Sequence, residues 1–350
     1  MMHKKQVFYY DLIKIIAAYM VCFYHLGLLD LGSVTTDFYF PNFNRVILNL
    51  CAMSVPLFFM VNGALLLRRN YTWKESILRF LKLTILYYFW VVVIGQIGEW
   101  AFGIEQDSVL DILNGYRNSI TVHLWFFKTI ARLAILTPIF KFIYDRESKL
   151  WTYGLMGCLF VIPFVYNYFV LFAAWFQIEP FSTLPVTGVD TMYSVLYFFL
   201  GKVLSDLSKE EKKSCIGRKI LALISILTGW IMSTVEVTLW TNLRGEMYDG
   251  VNSSFPTLGA LLMAAGVFYL LSKMNPNITG NVEKMFRLCA DHVMGVYIFH
   301  PIIVQLLNRV FRTYIGLLPK CLITLLIVIG LSVITAIIKK VPVIKKAVEI

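Results

Sequence analysis

The chain has 350 residues, 58% of them hydrophobic and only 15% charged, with a formal net charge of +11. That composition fits a polytopic membrane protein and excludes an ordinary soluble domain. The positive balance would suggest nucleic acid as partner of a soluble chain. In a membrane protein it marks the cytoplasmic loops, so the expected surroundings are a lipid bilayer and no nucleic acid.

Ten hydrophobic segments follow in chain order: 7–29, 44–67, 77–101, 122–144, 150–172, 190–206, 218–240, 254–273, 287–309 and 317–340. Each is long enough, or nearly so, to cross a bilayer as a helix. The predicted fold is an all-α polytopic membrane protein of about ten transmembrane helices, forming a single membrane domain over 1–350. Pro163, Pro180 and Pro185 interrupt the fifth and sixth segments. The first segment is too long for a signal-peptide core and lacks a small-residue cleavage site, so it is expected to stay in the protein. Cys22, Cys51, Cys158, Cys289 and Cys321 fall inside segments, and Cys215 lies in a basic loop. Their spacing supports neither a disulfide framework nor a metal site.

Loop charges set the expected orientation. With the N-terminus inside, 21 of the 32 Lys and Arg fall on the cytoplasmic side, from Lys4 and Lys5 through the loops to Lys339, Lys340, Lys345 and Lys346. Six fall outside: Arg45, Arg117, Arg244, Arg309, Arg312 and Lys320. This bias predicts both termini in the cytoplasm.

The first segment, VFYYDLIKIIAAYMVCFYHLGLL, carries Asp11, Lys14 and His25. On a helix, Lys14 and His25 lie about 20° apart around the axis, and Asp11 about 40° from His25. Ionisable groups within a span are costly and face a protein interior or a wet cavity. Asp11 and Lys14, three residues apart, can neutralise each other, and that pairing could be their whole purpose. The third segment opens with Arg79 and Lys82 on one expected helical face, preceded by Arg68, Arg69 and Lys74. The latter three read as anchors reaching for lipid headgroups. Arg79 and Lys82 also suit a cytoplasmic anion bearing several phosphates.

The fourth segment begins HLWFF, with His123 and Trp125 at its outer boundary. Trp125 reads as an interfacial belt residue, and His123 could face the same outer vestibule as His25. Glu236, near the outer end of the seventh segment, is a further, unpaired candidate. In the ninth, His300 precedes Pro301 near mid-membrane. A proline there frees a backbone carbonyl that a neighbour must satisfy, which allows His300 a structural role.

Taken in order, these residues resemble the membrane-bound acyltransferase 3 family. The first span of that family carries a basic residue, ten intervening residues and a histidine; here Lys14 and His25 match, with Asp11 at the family's acidic position. SVPLFFMVNGALLL, with Asn62 and Gly63, matches a signature that ends the second span, asparagine standing where serine is usual. Arg79 and Lys82 match a paired basic motif, and HLWFF and GVYIFHP match later signatures. The resemblance covers almost the whole chain. It implies an O-acyltransferase, most similar to the short, membrane-only O-acetyltransferases of the kind that act on enterobacterial common antigen. The implied site is in a bacterial plasma (inner) membrane, crossed many times. Its donor is cytoplasmic acyl-CoA, chiefly acetyl-CoA, used as substrate with no permanently bound cofactor and no metal. Its acceptor is a sugar hydroxyl of a surface or lipid-linked polysaccharide.

Histidine suits the deprotonation of an attacking hydroxyl, so His25 is expected as general base, or as a nucleophile acylated in turn. Lys14 and Asp11 share its stripe. Arg79, Lys82 and Lys14 would hold the acyl-CoA phosphates, and the rise of roughly 16 Å from Lys14 to His25 is one a pantetheine arm could bridge. His123, Trp125, Glu236 and His300 are acceptor-side candidates. The competing reading is a secondary transporter or a flippase for a lipid-linked sugar. Such proteins often show two related halves, and no internal repeat is visible in this sequence.

Overall fold

The computed structural model describes residues 8–35, 37–114, 118–178, 189–210, 216–253, 255–274, 276, 278–341, 345 and 347. The expected features at Lys4, Lys5, Arg117, Pro180, Pro185, Cys215 and Lys346 lie outside the described residues. Every regular element described is helical. The helices are α1 (Phe8–His25), α2 (Phe43–Leu48), α3 (Ser54–Leu66), α4 (Trp73–Phe102), α5 (Val109–Asn114), α6 (Trp125–Tyr144), α7 (Leu150–Phe160) and α8 (Tyr166–Trp175). They continue with α9 (Val189–Glu210), α10 (Ile216–Arg244), α11 (Gly250–Ser253), α12 (Leu258–Ser272), α13 (Gly280–Val310) and α14 (Leu317–Ile338). An apolar segment in lipid must satisfy its backbone internally, which is why each of the ten hydrophobic segments holds helix. Among the described residues, six helical stretches are long and apolar enough to cross a membrane: Phe43–Leu66, Trp73–Phe102, Leu150–Trp175, Ile216–Arg244, Gly280–Val310 and Leu317–Ile338. The chain is an all-α polytopic membrane protein.

Two expected spans contain local breaks. Between α2 and α3 the chain tightens into a 3₁₀ turn, Asn49–Met53. Pro56 has no N–H for the carbonyl four residues back, which falls inside that turn. Between α7 and α8, Val161–Val165 widens into a π-turn around Pro163, the usual accommodation of a proline ring within a helix.

The chain divides into two compact units. The first comprises Met1–Ala17, Asp30–Arg69 and Lys141–Pro276, and the second Ala18–Leu29, Asn70–Phe140 and Asn277–Ile350. In the first, α3 packs on α9 and α10 on α12. Small residues permit these approaches. A Cβ at Gly63 would stand 1.8 Å from the Phe198 carbonyl oxygen, and one at Gly201 would stand 2.0 Å from that of Met60. Without a hydrophobic drive between helices in lipid, such close backbone contact is a main source of association. Tyr10 and Tyr9 place their hydroxyls 2.7 Å and 3.1 Å from Ser205 Oγ, tying the start of α1 to α9.

In the second unit α13 packs on both α14 and α4. α4 starts at a capping box. The Thr72 hydroxyl accepts from the Glu75 backbone N–H at 3.2 Å, and the Glu75 carboxylate accepts from that of Thr72 at 2.9 Å. It ends at Gly103, whose φ of 65° closes the helix in the left-handed region.

Candidate active site

The sequence-predicted residues fall into two groups. Asp11 and Lys14 belong to the first unit, with Lys14 Nζ 2.6 Å from Asp11 Oδ1. Asp11 is buried and Lys14 half-buried, so the expected i,i+3 pairing forms.

Glu236, expected to be unpaired, is corrected by the structure. It lies on α10 of the first unit, is buried, and accepts a hydrogen bond from the Tyr168 hydroxyl at 3.2 Å. A carboxylate removed from water needs such a donor. Tyr168 stands on α8, too far along the chain for spacing to reveal the partnership.

His25, His123 and His300 all lie in the second unit, and their rings come together. His25 is the last residue of α1 and remains half-buried. The chain leaves it through Leu28, whose φ is 73°. The carbonyl of Leu28 accepts the Ile315 N–H at 3.1 Å, so the exit from α1 is pinned just past the histidine. The His25 ring centroid is 5.1 Å from that of His300, at a tilt of 41°. On the other side of His300, the His123 ring stands edge-on at 5.0 Å. His123 is buried in a 3₁₀ turn, Val122–Leu124, ahead of α6.

His300 is the centre of this row, and the proline beside it explains how it is held. Pro301 cannot donate to the carbonyl four residues back, which is that of Tyr297. His300 Nδ1 sits 2.8 Å from that same carbonyl oxygen. The carbonyl freed by Pro301 is therefore satisfied by the neighbouring histidine's own ring rather than by another helix. Tyr297 in turn donates its hydroxyl to the backbone carbonyl of His123, linking α13 to the turn that carries His123. Tyr297 escaped the sequence reading; its position four residues before Pro301 was the available signal.

Trp125 is half-buried, and its ring meets Phe126 edge-on at 6.3 Å. Phe126 stands 5.2 Å from Tyr297, whose ring adjoins those of His123 and His300, which leaves two aromatics between Trp125 and the histidine row.

Arg79 and Lys82 differ in burial. Arg79 is half-buried at the edge of the α4 stripe formed by Leu83, Leu86 and Trp90, and it hydrogen-bonds Tyr71. Lys82 is exposed; it lies about 40° beyond Leu86, outside the stripe on that side. The stripe ends close to the histidines. Trp90 meets Phe299 edge-on at 5.1 Å, and Phe299 precedes His300. Eleven residues of helix separate Arg79 from Trp90, a rise of roughly 16 Å. Lys128 lies over the ring of Tyr87 on the same helix, 4.6 Å from its centroid. Among the described residues, no group of three or more His, Cys, Asp or Glu is arranged to hold a metal ion.

Residues 7–338 match the acyltransferase 3 family model, described as an acyltransferase domain. No curated protein and no solved structure matches the chain.

Proposed function

From the family to which the chain belongs, the membrane-embedded acyltransferase 3 proteins, we propose that it is an O-acetyltransferase carrying acetyl from cytoplasmic acetyl-CoA to a sugar hydroxyl of a surface or lipid-linked polysaccharide. Family membership favours this over a transporter or flippase. The observation that carries the site is the histidine row around His300 in the second unit.

In this reading His25 is the general base. One ring nitrogen takes the proton of the acceptor hydroxyl as its oxygen attacks the thioester carbonyl. The carbon–sulfur bond breaks, and the coenzyme's sulfur leaves with the proton returned by His25. Half-burial suits this part, since the ring must be reached by the acceptor. Coenzyme A is too polar to enter lipid. Its phosphates would stay at the Arg79 end of α4, and its slender pantetheine arm would run along α4 toward Trp90 and Phe299. A forked guanidinium at that entrance suits phosphate. Localisation in a bacterial inner membrane, with both termini cytoplasmic, belongs to the same proposal.

Purified protein incubated with labelled acetyl-CoA and a lipid-linked glycan should transfer label to the glycan. Absence of both transfer and acetyl-CoA binding would sink the reading.

Arg79→Ala is expected to weaken acetyl-CoA binding on the order of tenfold, the loss of one charge-assisted phosphate contact of about 1.5 kcal/mol. Lys82→Ala should weaken it less, because Lys82 lies off the buried stripe. Titration of the solubilised variants with acetyl-CoA checks both. A larger loss at Lys82 would place the phosphates on the exposed face of α4.

Lys14 has two roles to separate. Lys14→Ala removes one ion-pair partner of buried Asp11 and is expected to destabilise the fold. Lys14→Arg should be tolerated. The double variant Asp11→Asn with Lys14→Ala should recover folding. If transfer stays low there, Lys14 also serves the donor; full recovery of transfer would leave it as the structural partner of Asp11.

A further inference from the structure

His300 is fully buried, at 0% exposure. Because a carbonyl can only accept, its 2.8 Å contact with the Tyr297 oxygen places the proton on Nδ1. The neutral ring then carries a lone pair on Nε2, and this nitrogen has no hydrogen-bond partner among the described residues. An unmet buried acceptor is costly, so one retained inside a membrane protein calls for a use. The lock on Nδ1 also limits that use. A proton cannot be passed through the ring while Nδ1–H is committed to the carbonyl, so His300 is a terminal acceptor and not a relay.

Two rings flank it. His123 stands at 77° with its centroid 5.0 Å away, but it is buried, whereas the half-buried His25 can be reached by an acceptor. His25 is tilted by only 41°, with centroids 5.1 Å apart. Two imidazoles joined by an N–H···N bond of about 3 Å, each with a ring radius of about 1.2 Å, have centroids up to about 5.4 Å apart, and less when the bond is bent. His25 thus lies at the separation such a bond requires, and hydrogen bonds of a catalytic row often close only when substrate is bound.

We propose that His300 is a positioning residue for His25: its Nε2 accepts the N–H of one His25 ring nitrogen, leaving the lone pair of the other facing the acceptor hydroxyl. His300 thereby sets the tautomer of the base, as a carboxylate does in a hydrolase triad, but without adding a buried charge. The support runs backward through named contacts: the His123 carbonyl holds the Tyr297 hydroxyl, the Tyr297 carbonyl holds His300 Nδ1, and Pro301 keeps that carbonyl available. The proton taken by His25 during transfer goes on to the leaving sulfur, and His300 keeps its own throughout. This inference rests on the acyltransferase reading for its catalytic meaning but not for its structural content.

The test uses full-length protein with ¹⁵N-labelled histidine in lipid nanodiscs, read by NMR, together with acetyl transfer kinetics. In the wild type loaded with acetyl-CoA, His300 should be the Nδ1–H tautomer and His25 a single tautomer. His300→Leu should leave His25 a mixture of tautomers and lower kcat on the order of 100-fold, the smaller end of lost acid–base assistance, with the KM for acetyl-CoA within about twofold. His300→Gln places an amide oxygen near the former Nε2 and should restore kcat to within about tenfold of wild type. An Nε2–H tautomer at His300, a His25 tautomer indifferent to His300→Leu, or a Gln variant no better than Leu would each overturn the proposal. If His300→Leu fails to insert, the wild-type tautomers and the Gln variant decide it. A wild type that shows the expected tautomers yet neither binds acetyl-CoA nor transfers acetyl would remove the acetyl-CoA reading and leave the hydrogen bond standing.

Discussion

His25→Ala is expected to abolish acetyl transfer while leaving membrane insertion close to normal. The side chain closes α1 and is half-buried, so truncation opens little cavity. The helix end stays held by the Ile315 N–H on the Leu28 carbonyl, beyond the substituted residue. What is lost is the proton acceptor, and general-base assistance is worth about 10²–10⁴ in rate. Removal of a nucleophile would cost at least as much. Glycan acetylation in cells, compared at matched protein levels, checks this. Substantial acetylation by His25→Ala would exclude both roles for His25 and move attention to His123 and His300.

Gly63→Ala should have a comparably large effect on yield of folded protein, for a purely steric reason. The added methyl would fall 1.8 Å from the Phe198 carbonyl oxygen, and its counterpart at Gly201 2.0 Å from that of Met60. Both obstacles are backbone, so no side chain can turn aside and α3 must separate from α9. Overpacking typically costs about 1–3 kcal/mol, and more where a backbone has to move. Gly154→Ala and Gly157→Ala on α7 are the controls, because nothing stands within 4 Å of a Cβ at either. There alanine should be neutral or stabilise by up to about 1 kcal/mol. Thermal melts of detergent-solubilised protein, followed by size-exclusion chromatography, would show the contrast. A Gly63→Ala melting curve that overlays the wild type would mean that α3 and α9 can part without loss.

The two substitutions differ in how far sequence could anticipate them. His25 announces itself, since an ionisable residue in a spanning segment demands an explanation. Gly63 was visible only as part of a motif resemblance; that it carries a helix–helix contact became apparent with Gly201 opposite, some 140 residues away. Lys82 shows what spacing leaves open: it stands three residues from half-buried Arg79, yet it is exposed, because it lies about 40° beyond Leu86 around the helix.

Hydrophobic length by itself determined the helical fold, because lipid leaves an apolar stretch no other way to satisfy its backbone. The local i,i+3 pairing of Asp11 with Lys14 was equally legible, being a property of one helix. Family motifs pointed to His25, His123 and His300 separately. Their assembly into one row was decided by tertiary structure alone. It depends on α13 carrying Tyr297 against the turn of His123, and on the end of α1 being pinned beside His300. Likewise the partner of Glu236 lies on another helix. Periodicity reports which face of a helix is apolar, but which helix meets that face is settled by packing between segments far apart in the chain.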